Sequence, residues 1–316
     1  MCDQPWMHCL SNAQARAGRV SLRTRLMEPL LQALRSRGYE SEGAGFPTGR
    51  PDRATLALVT RTGLPVVAKL YSSGGGATTY ANMQELWRSS FGERRRPPGL
   101  PRPIEYLPDV GAVIMERLPG RPFVELGASD PDVVDDAIGL LASLHGCEAQ
   151  PSTQRPVGRI VRSVWRKADT VGHVAPQFVD SFREVAEALE AAEVEDPELV
   201  PCHGDFSPRN VLVGSDGVTL IDWDRLQRAD PARDLAYFGA WCWTWALRQG
   251  RPACWSMLDR VVARYESLRP GASIEARLGF HLAAGLLRIA QGLVTLWSDD
   301  AHLVPQLTAE ALRRLR

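Results

Sequence analysis

The chain has 316 residues, 44% of them hydrophobic and 23% charged, and its 37 basic and 37 acidic side chains leave no formal net charge. That balance, with no basic run interleaved with aromatics, argues against a nucleic-acid binder, and the length is enough for two lobes around a sizeable core. Six cysteines without a C-x-x-C pair point to a reducing compartment. No secretory leader pattern and no 18-residue uncharged apolar run is found, so the expectation is a cytoplasmic protein without a membrane partner.

Residues 1–20 are polar and mixed and are expected to be poorly ordered. From Ser21, Leu22, Leu26, Leu30 and Leu34 recur at helical spacing, and Gly38 ends the run. Residues 41–53 are rich in glycine. Such a loop can bring backbone N–H groups close to phosphate, but Pro47 and Pro51 remove donors, so a phosphate role and a plain turn both stay open. Strands follow over 54–60 and 65–71, with Arg61-Thr62-Gly63-Leu64 as the turn. A helix is expected from about Thr78 to Ser89, its apolar face formed by Tyr80, Met83, Leu86 and Trp87. Two more strands, 104–107 and 112–115, end at Pro119-Gly120.

Beyond that point the pattern becomes helical. Asp130-Pro131 opens a helix that His145-Gly146 closes, with His145 read as a last-turn capping or dipole residue. Further helices are expected near 161–169, 176–192, 252–268, 273–297 and 305–315. Trp241, Trp243 and Trp245 fall on different faces of a helix and read mostly as core.

The chemistry concentrates between Val200 and Tyr237. His203, Asp205 and Asn210 stand at H-x-D-x-x-x-x-N spacing, and Asp222 follows twelve residues after the asparagine. Phosphoryl transfer asks for a carboxylate at the acceptor hydroxyl and oxygen ligands for Mg²⁺ on the phosphates. The runs 211–213 and 218–221, joined through Asp216-Gly217, read as a hairpin that carries Asp222 back beside Asn210. His203 is read as structural. Taken singly, these residues would be a turn, a cap and a strand-end carboxylate.

On His203-Gly204-Asp205, Asn210, Ile221-Asp222-Trp223-Asp224, Asp230-Pro231 and Asp234-Leu235-Ala236, the chain resembles the aminoglycoside phosphotransferase and choline kinase group of protein-kinase-like small-molecule kinases. It departs from that group at Ser207-Pro208-Arg209-Asn210, where His-Pro-Gly-Asn is common. The resemblance implies an α+β, protein-kinase-like two-lobed fold. A small antiparallel sheet would form the nucleotide-binding lobe over 1–118, and a mostly helical lobe with the acceptor site would span 119–316. It also implies ATP as phosphoryl donor with Mg²⁺ as cofactor. Asp205 would be the catalytic residue and Asn210 and Asp222 the metal ligands, while Asp234 would brace the catalytic loop.

Val66-Val67-Ala68-Lys69 resembles the lysine strand of kinases, in a chain whose only lysines are Lys69 and Lys167. Lys69 would contact the phosphates, with Glu85 as its pairing carboxylate, and backbone groups near Glu116 and Leu118 would meet the adenine edge. The short path from Asp222 to Asp234, without Asp-Phe-Gly or Ala-Pro-Glu, favours a small-molecule hydroxyl acceptor over a protein. An aminoglycoside-like antibiotic leads by resemblance, with Asp224 and Asp299-Asp300 as the acids available to attract a cation, though adjacent acids such as Asp299-Asp300 at a helix end read first as a solvated turn. The alternatives are a choline, sugar or homoserine type of metabolite kinase and a non-catalytic nucleotide-binding pseudokinase.

Overall fold

The structure is a computed structural model that describes residues 31–42, 53–72, 74–94, 96–192, 194–195 and 197–316. The expected polar segment 1–20, the start of the first helix and the glycine-rich stretch 43–52 lie outside the described residues. Residues 31–36 are helical, and Gly38 turns the chain with φ of +88°.

Strands β1 (Tyr39–Ser41), β2 (Arg53–Thr60), β3 (Pro65–Tyr71), β4 (Pro103–Leu107) and β5 (Ala112–Glu116) form one antiparallel sheet in the order β1-β2-β3-β5-β4. Period-two alternation decides what each face carries. On β3, Val66, Ala68 and Leu70 are buried with Leu56, Leu58 and Ile114. Lys69 therefore points to the opposite face, in register with Thr55 of β2 and Val113 of β5. Helix α1 (Gly76–Arg88) follows β3. It buries Met83 and Leu86 in a core shared with α2 (Pro131–Gly146), which couples the sheet region to the helical body. Asp130 caps α2 by accepting from the Asp132 N–H (3.0 Å), and Pro131 occupies its first turn.

The rest is mostly helical: α3 (Val157–Val174), α4 (Val179–Ala191), α5 (Ala232–Arg248), α6 (Ser256–Leu268), α7 (Glu275–Thr295) and α8 (Val304–Arg314). Helix α7 is the one described helix long and apolar enough to cross a bilayer by composition. It instead packs on α3, α5 and α8, with Leu286, Leu287, Ile289 and Leu293 buried. Each such side chain contributes about 2 kcal/mol by leaving water. Two small three-stranded sheets sit between the sheet region and these helices. Strand β6 (Arg121–Pro122) pairs with β9 (Val211–Gly214), which pairs with β10 (Gly217–Leu220); β11 (Gln227–Ala229) lies between β7 (Gln154–Arg155) and β8 (Val200–Cys202). They hold the loops that carry the polar residues.

Candidate active site

Strand β8 ends at Cys202, and the chain must then turn sharply. Gly204 does so at φ +74°, where a Cβ would stand 2.3 Å from the Arg225 carbonyl oxygen, so only glycine fits. The exposed amides of the turn are taken by one carboxylate. Asp234, at the start of α5, accepts from His203 N–H (2.7 Å) and Gly204 N–H (2.8 Å). Its Oδ2 also lies 3.3 Å from His145 Nε2, and His145 Nδ1 is 2.8 Å from the Tyr265 hydroxyl. The bracing role expected of Asp234 is thus present in the geometry. His145 is corrected from a last-turn cap to a buried link between α2, α5 and α6, because its ring points inward at Asp234 rather than at its own helix end. His203 is structural as expected: its Nδ1 accepts from the Asp205 N–H (3.3 Å) and its Nε2 donates to Ile221 O (2.9 Å).

The hairpin closes the arrangement. Val211 faces Leu220 across the β9–β10 ladder, and Ile221 N–H continues it to Asn210 O (3.0 Å), which sets Asp222 beside Asn210. Asn210 Nδ2 donates to the Asp205 carbonyl (2.8 Å), so its Oδ1 is the group left for another partner. Asp222 is a non-glycine residue in the left-handed region, φ +66° and ψ +62°. Such a conformation costs of order 1–3 kcal/mol and persists where neighbours hold it. Here the Lys69 ammonium holds the side chain at 2.5 Å from Oδ1. Burial pushes the Asp222 carboxyl up, but Lys69 outweighs it and the group sits below the usual carboxylate range.

Asp205 lies on the other side of the cleft. Arg288 of α7 forks onto the catalytic turn, Nη1 donating to Gly204 O (2.8 Å) and Nη2 to Asp205 Oδ1 (2.6 Å), and it stacks over the Tyr237 ring. Arg225 Nε stands 3.9 Å from Asp205 Oδ2. Burial raises this carboxyl too, yet Arg288 first and Arg225 second hold it well below the usual range. It is ionised at any physiological pH.

Lys69, Asp205, Asn210 and Asp222 line one cleft of about 640 Å³. The other expected residues fall elsewhere. Glu85 does not pair with Lys69: its Oε1 accepts from the Gln150 N–H (3.3 Å). The lysine is satisfied by Asp222 and by Asp224 (2.8 Å), so the expected Lys69–Glu85 pair is corrected to a Lys69–Asp222–Asp224 group. Asp224, expected as an acid that attracts a cationic substrate, is already engaged: its side chain is buried, and Arg53 and Tyr71 of the sheet donate to it alongside Lys69, which ties this loop to β2 and β3. Glu116 and Leu118 line a separate hollow with Trp87, Pro97 and Gly217, and the Glu116 N–H is taken by Arg102 O (3.0 Å). Asp300 is paired with Arg248 (2.7 Å).

Three features of the cleft went unread in the sequence. Arg288 stands 83 positions from Asp205, with no local signal to link the two. Arg209, at the position where the chain departs from the family pattern, lies over the rings of Trp241 and Trp297. The Asp224 cluster was visible only as an acid in a motif.

A five-stranded antiparallel sheet over a helical body, with a lysine, two aspartates and an asparagine converging on one cleft, defines a protein-kinase-like phosphotransferase fold. Residues 49–270 match the model of the phosphotransferase enzyme family, and the chain belongs to that family. Viomycin phosphotransferase of Streptomyces vinaceus is 29% identical over 141 residues, 40% of this chain; the match spans about half (49%) of that relative's length. Among solved structures, an aminoglycoside-3'-phosphotransferase of type VIII is 25% identical with a TM-score of 0.58, over 81% of this chain and 97% of that one. Choline kinase LicA from Streptococcus pneumoniae has a TM-score of 0.63 at 12% identity, over 92% of this chain and 99% of that one, a likeness of fold alone.

Proposed function

We propose that the protein transfers the γ-phosphoryl group of ATP to a hydroxyl of a small molecule. The observation that carries this reading is the convergence of Asp205, Asn210, Asp222 and Lys69 on one cleft. Asp205, ionised and fixed by Arg288, orients the acceptor hydroxyl and receives its proton while the acceptor oxygen bonds to phosphorus and the bond to the ADP oxygen breaks. A weakly basic carboxylate suffices, because in a loose transition state the proton becomes acidic only as the new bond forms. Lys69 is a compact cation for the phosphates.

The side-chain oxygens of Asn210 and Asp222 are hard donors lining the same cleft, the set a magnesium ion takes, so these two residues would hold it. Bound there, Mg²⁺ supplies neutralisation of phosphate charge. Asp222 would exchange part of its Lys69 contact for the ion. Backbone groups near Glu116 and Leu118 are the candidate adenine contacts. The division near residue 118 is kept as the boundary between nucleotide and acceptor lobes. Of the acids expected to attract an aminoglycoside, Asp224 is engaged by Arg53, Lys69 and Tyr71 and Asp300 by Arg248, while Asp299 is exposed.

The test is ADP release from MgATP across an acceptor panel. Asp205→Ala is expected to abolish release while nucleotide binding persists. A folded mutant that turns over normally would sink the assignment, as would nucleotide binding without release for any acceptor.

A further inference from the structure

Next to the cleft, on the side of Asp205 where α3, α5 and α7 meet, lies a second cavity of about 300 Å³. Its charged lining is almost wholly basic: Arg155, Arg166, Lys167, Arg225, Arg233 and Arg288, with no aspartate or glutamate among the lining residues. The neighbouring carboxylates are already engaged. Asp205 is held by Arg288, Asp230 by Arg277 (2.6 Å) and His281 (2.9 Å), and Asp234 by the catalytic-turn amides and His145.

Several of these donors are short of acceptors. The Nε atoms of Arg155 and Arg233 are buried with no hydrogen-bond partner among the described residues. A buried donor left unmade costs about 1–3 kcal/mol, more on a charged group. The cations also strain one another. Burial first, then Arg155 and Arg288, bring Arg233 down to about 9; burial first, then Arg155, Arg288, Arg225 and Arg233, bring Lys167 down to about 6. Among the described residues, Lys167 Nζ has Ser163 O (3.1 Å) and Ser163 Oγ (2.7 Å) as hydrogen-bond partners.

The cavity adjoins the reaction site: Arg225, Tyr237, Arg288 and Gln291 line both it and the cleft that holds Asp205.

We infer that this basic cavity binds the anionic group of the phosphoryl acceptor, so that the acceptor is a small hydroxylated molecule carrying a phosphate, sulfate or carboxylate rather than a polycation. The inference rests on the phosphotransferase reading for the hydroxyl at Asp205, but the anion site stands on its own lining. Arg155 and Arg233 supply fork donors to the anion, and Lys167 adds a compact donor from the same lining. Arg288 then touches both the anchored group and Asp205, and thereby sets the register between anchor and hydroxyl.

The test has two arms, both with the full chain in phosphate-free buffer. Calorimetry measures binding of inorganic phosphate, citrate and, for contrast, the polycation kanamycin, with a slowly hydrolysed ATP analogue filling the nucleotide cleft. The expected result is binding of an anion and not of kanamycin, weakened at least about tenfold in Arg155→Gln/Arg233→Gln and unchanged in the surface control Arg121→Gln. Phosphate against citrate distinguishes a phosphate from a carboxylate anchor. Because the substitutions relieve repulsion, the double variant should fold; the ligand preference of the unsubstituted protein gives a second readout that needs no variant. Kanamycin binding with no anion binding, or equal anion affinity in the double variant, would overturn the inference. The second arm follows ADP release with matched acceptors, glucose, glucosamine and glucose 6-phosphate. Transfer to glucose or glucosamine that the double variant retains overturns the anion site and leaves the transferase reading intact. Anion binding lost in the double variant, with no transfer to any acceptor, supports the anion site and counts against the transferase reading instead.

Discussion

Lys167→Met should stabilise the protein at neutral pH and flatten its pH dependence. The charged groups facing Lys167 are Arg155 from β7, Arg225 from the catalytic loop, Arg233 from α5 and Arg288 from α7. Burial and these cations bring its pKa from an ordinary 10.5 to about 6. Between those values the unfolded chain binds one more proton than the folded chain, so stability rises with pH by about 1.4 kcal/mol per unit. The contribution is complete above 10.5 and is lost as pH falls through about 6. From pH 7 to pH 9 this lysine alone adds about 2.7 kcal/mol. Methionine keeps most of the length and carries no charge to desolvate. Urea unfolding of both proteins at pH 7 and pH 9, in phosphate-free buffer, gives the two increments, and other titrating groups cancel in their difference. The variant's increment should be smaller by about 2–3 kcal/mol. Equal increments would refute the reasoning, since Lys167 would then be charged in the folded protein.

Glu85→Gln should leave kcat and the KM for ATP within about twofold, because Glu85 serves Gln150 and not Lys69; a hundredfold loss would reinstate the pair. Gly204→Ala puts a Cβ 2.3 Å from Arg225 O and 2.6 Å from Gln227 Nε2 at a positive φ. A cost of about 3 kcal/mol or more is expected, read as a melting temperature lower by roughly 5 °C or more. An unchanged melting temperature would contradict the turn.

Three side chains, Glu85, Asp224 and Lys167, show where local reading ends. In the sequence Glu85 stands out as the one acid of its helix, sixteen residues past Lys69, but the rotation of α1 about its axis decides which side chain meets the lysine, and its core contacts Met83 and Leu86 decide that rotation. Asp224 lies two residues past Asp222, and sequence shows its charge but not that Arg53, Lys69 and Tyr71 come from the sheet to surround it. Lys167 drew attention only as one of two lysines. Both prove to belong to the site region, one in the cleft and one in the adjoining cavity.

The chain by itself determined the elements and the polar constellation at the cleft. Alternation of apolar residues makes β2 and β3, Asp130-Pro131 starts α2, and the hairpin between Asn210 and Asp222 sets two oxygen donors side by side. All these depend on interactions between residues near in sequence, whose spacing is written in the chain. Tertiary structure alone decided the electrostatics. Arg288 reaches Asp205 from α7, and residues from β7, α3, the loop at Arg225, α5 and α7 gather six basic side chains around one cavity in a chain of zero net charge. Composition averages charge over the whole molecule, whereas packing decides which charges face one another across a low-dielectric space, and there the sign of the ligand is decided.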